Sequence, residues 1–157
     1  YARLTDQPEY MDKARGMAAR LLDNMGDKGN TPLPLDGQGW SMKYNLVWDE
    51  ILGLGLLPRE YYAQEMGSYA ARMNRYGLPL DSRKTYTKSD WELWVATMAQ
   101  SKEEFCRFIA PVAAYLRETP SRVPFSDWYD TVTGKYEHFI ARAVQGGLYM
   151  PMLKHWK

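Results

Sequence analysis

Apolar residues recur with helical spacing along most of the chain, and polar segments rich in glycine and proline separate them. Residues 1–5 have the character of the end of a helix. The spacing predicts further helices over residues 7–25, 41–54, 58–77, 90–99, 101–118 and 141–153. At most one small β-hairpin is predicted, near residues 128–137, where a glycine-containing turn separates β-prone residues. The pattern therefore predicts an all-α fold.

The connections between these helices alternate in length. Two stops are short, at residues 55–57 and at Gln100, and three polar segments are long, at residues 26–40, 78–89 and 119–140. In an array of antiparallel α-hairpins, alternate connections emerge at the same end. Function tends to lie on long loops held by a rigid scaffold. We therefore expect a curved array of α-hairpins with its functional groups at the end where the long loops meet.

Length and charge limit the classes of function. The chain has 157 residues, enough for one compact domain. It carries 20 Lys and Arg against 19 Asp and Glu without any block of like charge, so a nucleic-acid partner has no electrostatic support. Its longest apolar run is too short for a membrane span.

Cysteine and histidine are scarce, which argues against most metal and cofactor chemistry. Cys106 is the single cysteine, and His138 and His155 are the two histidines, so no zinc-site spacing occurs. Cys106 lies in an apolar helix and is predicted to be a buried, inert thiol. A Ser-His-Asp triad would need one of the two histidines and is disfavoured. No cofactor or metal is expected.

The start of the predicted helix at residue 90 has two interpretations. Ser89 followed by Glu92 fits a capping box, and Asp90 in the first turn suits the helix dipole. Capping explains Ser89 and Glu92 well. It explains Asp90 less well, because its neighbours already satisfy the helix end.

A second pattern links this helix start to a later loop. The string Ser-Arg, a short spacer and Ser-Asp-Trp occurs twice, at residues 82–91 and 121–128. It suits either two structural loops whose arginines bind carbonyl groups, or a polar cleft in which arginines grip a carboxylate and an aspartate activates water. The catalytic candidates are Asp90, Asp127 and Asp81. The substrate-binding candidates are Arg83, Arg122, Tyr86, Trp91 and Trp128.

Four motifs resemble the six-helical-hairpin domain of the glutaminase A family: WSMKYNLVWDEILGL, YGLPLDSRKTYTKSDWELW, TPSRVPFSDWYDTVTGKY and ARAVQGGLYM. They occur in family order and span nearly all of the chain. The resemblance implies an (α/α) six-hairpin toroid and hydrolysis of L-glutamine to L-glutamate and ammonia. It also implies that no cofactor is needed and that the protein is secreted or belongs to the cell envelope.

The resemblance further implies that residues 1–157 form a single domain unit, the C-terminal portion of a larger toroid. The N-terminal part of the same protein, or a second copy of the chain, is then the expected macromolecular partner. A chain without the other hairpins is expected to fold but to be catalytically silent.

The chemistry of glutamine suits the predicted cleft. Arg83 or Arg122 would bind its α-carboxylate, an aspartate its ammonium group, and a carboxylate-activated water is favoured over a covalent intermediate. A carbohydrate-active toroid enzyme is the alternative, because Trp-lined clefts with paired carboxylates commonly cleave glycosidic bonds. A non-catalytic helical binding module is the third reading. Ammonia release from glutamine and reducing-sugar release from glycans distinguish these readings.

Overall fold

The computed structural model describes residues 1–26, 29–34 and 37–154, without the side chain of Arg3. These residues contain six α-helices, two short β-strands and two 3₁₀ segments, so the all-α prediction is confirmed. The α-helices are α1 (Ala2–Thr5), α2 (Glu9–Asp23), α3 (Val47–Leu52), α4 (Arg59–Ala70), α5 (Ser89–Thr97) and α6 (Lys102–Glu118). The strands are β1 (Tyr86–Lys88) and β2 (Trp128–Asp130), and the 3₁₀ segments are Tyr44–Leu46 and Ala143–Leu153.

Several helices are shorter than the periodicity predicts, and α4 shows why. It ends at Ala70 instead of Gly77 because the chain turns back on itself. The backbone N–H of Asn74 donates to the carbonyl of Gly77 over 2.8 Å. Gly77 has a φ of 140°, a conformation that favours glycine. The apolar residues Met73 and Tyr76, which precede Gly77, therefore belong to a turn and not to helix α4.

The main core lies where α3, α4, α5 and α6 pack together. Its completely buried side chains include Val47, Met66, Tyr69, Val95, Ala96 and Phe108. A smaller cluster of Tyr76, Tyr115 and Tyr129 lies beside it, and the rings of Tyr115 and Tyr129 stack with centroids 3.6 Å apart. This second cluster joins α6 to β2.

The second cluster changes which face of α6 is buried. Helical spacing from Val112 would place Leu116 on the same buried face, but Leu116 is 54% exposed, whereas Phe108 and Tyr115 are buried together with Val112. The helix is rotated because Tyr115 contacts the ring of Tyr129, which sequence periodicity cannot anticipate. Cys106 is exposed, so the prediction of a buried thiol was wrong.

The three long connections meet at one end of the helices. The N–H of Met42 donates to Leu80 over 2.9 Å, and the N–H of Thr131 donates to Thr85 over 2.9 Å. We call this the long-loop end, formed by residues 29–34, 37–43, 71–88 and 119–142. The predicted gathering of the long loops at one end is confirmed.

The short connections lie at the opposite end of α5. Residues from both of them, including Gly55, Leu57, Gln100 and Ser101, line one cavity of about 990 Å³. Asp90 is in the first turn of α5 and Ala99 follows its last turn, so this cavity lies at the opposite end of α5 from Asp90. No helix among the described residues is long and apolar enough to cross a membrane.

The strands connect two of the long loops. β1 and β2 pair antiparallel, with Lys88 opposite Trp128 and Tyr86 opposite Asp130. The predicted hairpin near 128–137 is present as a single bridge between Tyr129 and Tyr136, beside a turn at Gly134. The more extensive pairing of β2 is therefore with the loop before α5.

Candidate active site

The start of α5 is not a capping box. Lys88 occupies the N-cap position without a side-chain hydrogen bond to the helix. Glu92 turns away from the helix end, and its Oε1 accepts bonds from the N–H of Leu78 (2.5 Å) and the hydroxyl of Thr87 (3.1 Å). The Ser89 hydroxyl is buried without a hydrogen-bond partner among the described residues. The capping prediction for Ser89 and Glu92 was therefore wrong.

Strand pairing explains this difference. The N–H of Ser89 donates to the carbonyl of Asp127 over 2.8 Å, which extends the β1–β2 ladder into the first residue of the helix. Strand pairing thus fixes the first residue of α5 in place of a side-chain cap. Glu92 is completely buried beneath it, and burial raises the pKa of its carboxyl to about 8.

Asp90 is a buried carboxyl without an ion-pair partner in the described part of the chain. Its side chain lies in the first turn of α5 and the residue is 5% exposed. The oxygen Oδ1 makes no hydrogen bond in the structure. Burial raises the pKa of Asp90, and the charge of Asp127 raises it further. Hydrogen bonds from the backbone N–H groups of Asp90 and Trp91, together with the charge of Lys88, oppose this rise without cancelling it.

Asp127 is buried as well, but it is paired. Arg142 reaches it with two guanidinium nitrogens: Nε lies 3.0 Å from Oδ1, and Nη2 contacts Oδ2. This fork is the strong geometry for an arginine and a carboxylate. The hydrogen bond to Asp127 raises the pKa of Arg142. Asp127 is therefore held beside Asp90 as a fixed negative charge.

Sequence reasoning did not single out Arg142, although the residue lies in one of the four family motifs. It follows Asp127 by fifteen residues and belongs to no repeated pattern. Only the three-dimensional path of the loop brings the two together. A local search for ion pairs would therefore have missed it.

Aromatic rings surround the two aspartates. Trp91 stacks on Tyr44 with ring centroids 4.0 Å apart, and Trp128 contacts Tyr86 edge-on at 5.2 Å. The ammonium nitrogen of Lys88 lies 4.6 Å from the ring of Trp128 and 5.1 Å from that of Trp91. The structure thus brings together three predicted residues, Trp91, Trp128 and Tyr86, and adds Tyr44 and Lys88.

The 3₁₀ segment Ala143–Leu153 covers Asp90. The indole N–H of Trp94 donates to the carbonyl of Gly147 over 3.1 Å. A Cβ atom on Gly147 would lie 2.8 Å from the Cβ of Asp90, closer than side chains tolerate. Gly147 is needed here because its lack of a side chain lets the backbone approach Asp90.

The other predicted polar residues make separate, local contacts. Arg83 grips Asp81 with two nitrogens, at 3.0 and 2.7 Å, and this bonding lowers the pKa of Asp81. Arg122 is exposed and donates to the carbonyl of Thr119 over 2.8 Å. Arg122 thus binds a carbonyl group, as expected if its loop is structural.

The two histidines do not form a triad in the described part of the chain. The ring of His138 packs against Trp128 at 4.8 Å, and its Nε2 lies 3.9 Å from the Glu137 carboxylate. His155 lies outside the described residues. Within those residues, no group of three or more His, Cys, Asp or Glu side chains is placed to hold a metal ion.

The arrangement suits proton transfer. A buried carboxyl with a raised pKa, Asp90, lies near a carboxylate whose charge is balanced by Arg142. Two carboxyl groups in different environments can take different roles in acid–base chemistry. The indole faces around them offer apolar surface for a small ligand.

Comparison with known proteins agrees with this fold. The glutaminase A six helical-hairpin domain family matches residues 2–152. The chain is 43% identical to Glutaminase A of Aspergillus oryzae over 109 residues, which is 68% of this chain and 16% of that protein. It is 40% identical to a probable glutaminase of Arthroderma benhamiae over 97 residues, 59% of this chain and 11% of that protein.

The chain thus spans less than a fifth of the length of these two curated relatives. No solved structure matches it. The family match extends over nearly the whole chain, and the helices and long loops described above lie within it. The chain therefore belongs to the glutaminase A six helical-hairpin domain family.

Proposed function

We propose that the full-length protein hydrolyses the side-chain amide of L-glutamine to give L-glutamate and ammonia. Two relatives of this chain bear glutaminase names, which supports the reaction. The site supports it through one observation above all: Asp90 is a buried carboxyl without a counterion, beside the Asp127–Arg142 pair.

Asp90 is the proposed general base. As a carboxylate it takes a proton from a water molecule, whose oxygen attacks the amide carbon. Asp90 then passes this proton to the departing nitrogen, the C–N bond breaks and ammonia leaves. The carboxylic acid that remains loses its own proton to ammonia or solvent and becomes the carboxylate of glutamate. A raised pKa makes Asp90 a stronger base than an exposed aspartate. Asp127, fixed by Arg142, supports this by its negative charge.

Substrate access has a structural requirement in this proposal. Oδ1 of Asp90 is buried, and Gly147 lies against the same side chain. The 3₁₀ segment Ala143–Leu153 would therefore have to move for water and the amide to reach Asp90. Such closing elements are common in enzymes that exclude bulk water during reaction.

The test is steady-state ammonia release from L-glutamine by the full-length protein. Asp90→Asn should lower kcat by at least about a hundredfold, the scale of a lost general base. Asp81→Asn is the matched control, because Asp81 is paired locally with Arg83, and it should retain most of the activity. Wild-type turnover in Asp90→Asn would exclude Asp90 as the base.

The same preparation should be assayed for reducing-sugar release from glycans. The site contains the indoles of Trp91 and Trp128 and the carboxyl groups of Asp90 and Asp127. Glycosidase clefts have the same combination of indole rings and paired carboxyl groups. Sugar release without ammonia release would replace the amidase proposal by the carbohydrate reading. A secreted or cell-envelope location is part of the proposal and is tested by fractionating cells that express the full-length protein.

A further inference from the structure

Lys88 lies at the centre of the aromatic surroundings of the site. It is the last residue of β1, and its half-buried side chain carries the ammonium group between the rings of Trp128 and Trp91. The two centroid distances, 4.6 and 5.1 Å, are typical of cation–π contact. The ring faces hold the cation but supply no negative charge.

No carboxylate in the described part of the chain forms an ion pair with Lys88. Both oxygens of Asp127 are taken by Arg142, and Asp90 makes no ion pair with Lys88 in the described residues. Burial and the positive charge of Arg142 lower the pKa of Lys88. The site therefore has a partly desolvated cation whose three N–H donors have no anionic partner.

The two arginines predicted for carboxylate binding do not fill this role. Arg83 is engaged in its fork with Asp81. Arg122 is exposed and bonds to Thr119. Lys88 is instead two residues before Asp90, and the charges of the two side chains affect each other's pKa. Lys88 is therefore close to the proposed base, so that one small molecule could contact both side chains.

The unsatisfied groups around Lys88 specify a class of ligand. An anion would supply the missing counter-charge, and the indole faces would contact short apolar segments beside it. Asp90 Oδ1 and the indole N–H of Trp128 are buried atoms with unused hydrogen-bonding capacity, which suits a second, uncharged polar group. A small molecule with a carboxylate at one end and an amide at the other has this combination.

We propose that Lys88 binds the α-carboxylate of the amino-acid substrate and so positions its side-chain amide at Asp90. This assignment rests on the proposed amide hydrolysis for the identity of the substrate. Lys88 would recognise the carboxylate as a point charge. Arg142 would remain paired with Asp127.

The experiment compares two ligands that differ only in the carboxylate. L-glutamine and 4-aminobutanamide, which is glutamine without its α-carboxylate, are titrated into full-length Asp90→Asn protein by calorimetry. That background prevents turnover in the proposed mechanism. L-glutamine should bind at least about tenfold more tightly than 4-aminobutanamide.

Lys88→Met in the same background should remove this preference. Affinity for L-glutamine should fall by about tenfold or more, and affinity for 4-aminobutanamide should change by less than about twofold. Lys88→Arg keeps the charge and should retain the preference. Lys84→Met, on an exposed residue of the same loop, is the control and should behave as the background protein.

Three outcomes would overturn the assignment: L-glutamine binding that survives Lys88→Met, equal loss for both ligands, or no preference for L-glutamine before the mutation. Ammonia release by the wild-type protein is measured separately. A Lys88-dependent preference without ammonia release would refute the proposed reaction but keep Lys88 as a carboxylate-binding residue. Ammonia release without the preference would refute the Lys88 assignment alone.

Discussion

Residues 89–91 and 126–128 carry the same three side chains, Ser-Asp-Trp, on two loops that pair with each other. The first copy begins helix α5, and the second runs into strand β2. Their serines already differ. Ser126 accepts a bond from the N–H of Trp128 over 3.2 Å, whereas the Ser89 hydroxyl has no partner among the described residues.

The aspartates differ more. Asp127 has a guanidinium on both of its oxygens, and Asp90 has an oxygen without a hydrogen bond. Both are buried, so burial alone does not separate them. Arg142, fifteen residues after Asp127 in the sequence, distinguishes the two aspartates. It forms an ion pair with Asp127 and leaves Asp90 without a counterion. Identical tripeptides can thus carry one ion-paired and one unpaired carboxyl group.

The residues that follow the two copies continue the contrast. Glu92 follows the first and Tyr129 the second, and both are completely buried. A Cβ atom on Gly77 would contact both side chains, so the two meet beneath the paired loops. The charge of Glu92, together with burial, raises the pKa of Tyr129. The two copies therefore share one buried region.

The largest expected effect concerns Glu92. Its pKa of about 8 in the folded protein lies above the value of about 4.3 in an unfolded chain. The contribution of Glu92 to stability is therefore complete below about pH 4.3 and is lost as pH rises towards 8, by an amount on the order of 3–5 kcal/mol. Glu92→Gln should remove this pH dependence.

Hydrogen exchange of the segment 77–88, corrected for the intrinsic exchange rate, reports this local stability in the full-length protein. Glu103→Gln, on an exposed residue of α6, is the control and should keep the wild-type pH dependence. A Glu92→Gln profile parallel to the wild-type profile would show that Glu92 is already ionised at neutral pH.

The second prediction concerns a substitution that removes the ion pair of Asp127, so that both aspartates lack a counterion. Arg142→Met leaves Asp127 buried without a counterion, as Asp90 is now. The melting temperature of the domain should fall by about 5 °C or more. Arg122→Met, which loses only a bond to Thr119, should change it far less. Equal effects of the two substitutions would mean that the fork to Asp127 contributes little.

The third prediction concerns the cover over the first copy. Gly147→Ala places a methyl group 2.8 Å from Asp90 and 2.9 Å from Trp94, so the 3₁₀ segment must shift. The expected cost is about 1–3 kcal/mol, measured by urea unfolding. Gly146→Ala is the matched control, because nothing lies within 4 Å of its added methyl group. Similar stabilities for the two variants would contradict the close packing at Asp90.

The helices and the gathering of the long loops were predictable because they depend on local spacing and chain order. Helix α6 begins with a capping box that its sequence shows, Ser101 followed by Glu104, and the Ser101 hydroxyl accepts from the N–H of Glu104 over 3.0 Å. Helix ends set by tertiary contacts were not predictable. The turn between Asn74 and Gly77 follows a helix α4 that is shorter than its periodicity predicts. The contact of Tyr115 with Tyr129 determines which face of α6 is buried.

The candidate site was predictable in part for the same reason. The repeated Ser-Asp-Trp string directed attention to Asp90 and Asp127, which strand pairing brings together. Charge partners are set by loop paths, so Arg142 was missed; Arg83 pairs with Asp81, and Arg122 donates to the carbonyl of Thr119. Glu92 resembled a cap because the sequence does not show that Leu78 and Thr87 lie above it.

Asp90 is expected to bind a proton more readily than an ordinary aspartate, because it is buried and lies beside the charge of Asp127. A titration of side-chain carboxyl carbons by ¹³C NMR, with Asp90→Asn identifying the resonance, tests it most directly. Asp90 is expected to titrate above the ordinary aspartate pKa of about 3.9, and Asp127→Asn is expected to lower this pKa. An Asp90 pKa at or below the ordinary value would rule out Asp90 as a carboxyl with raised proton affinity.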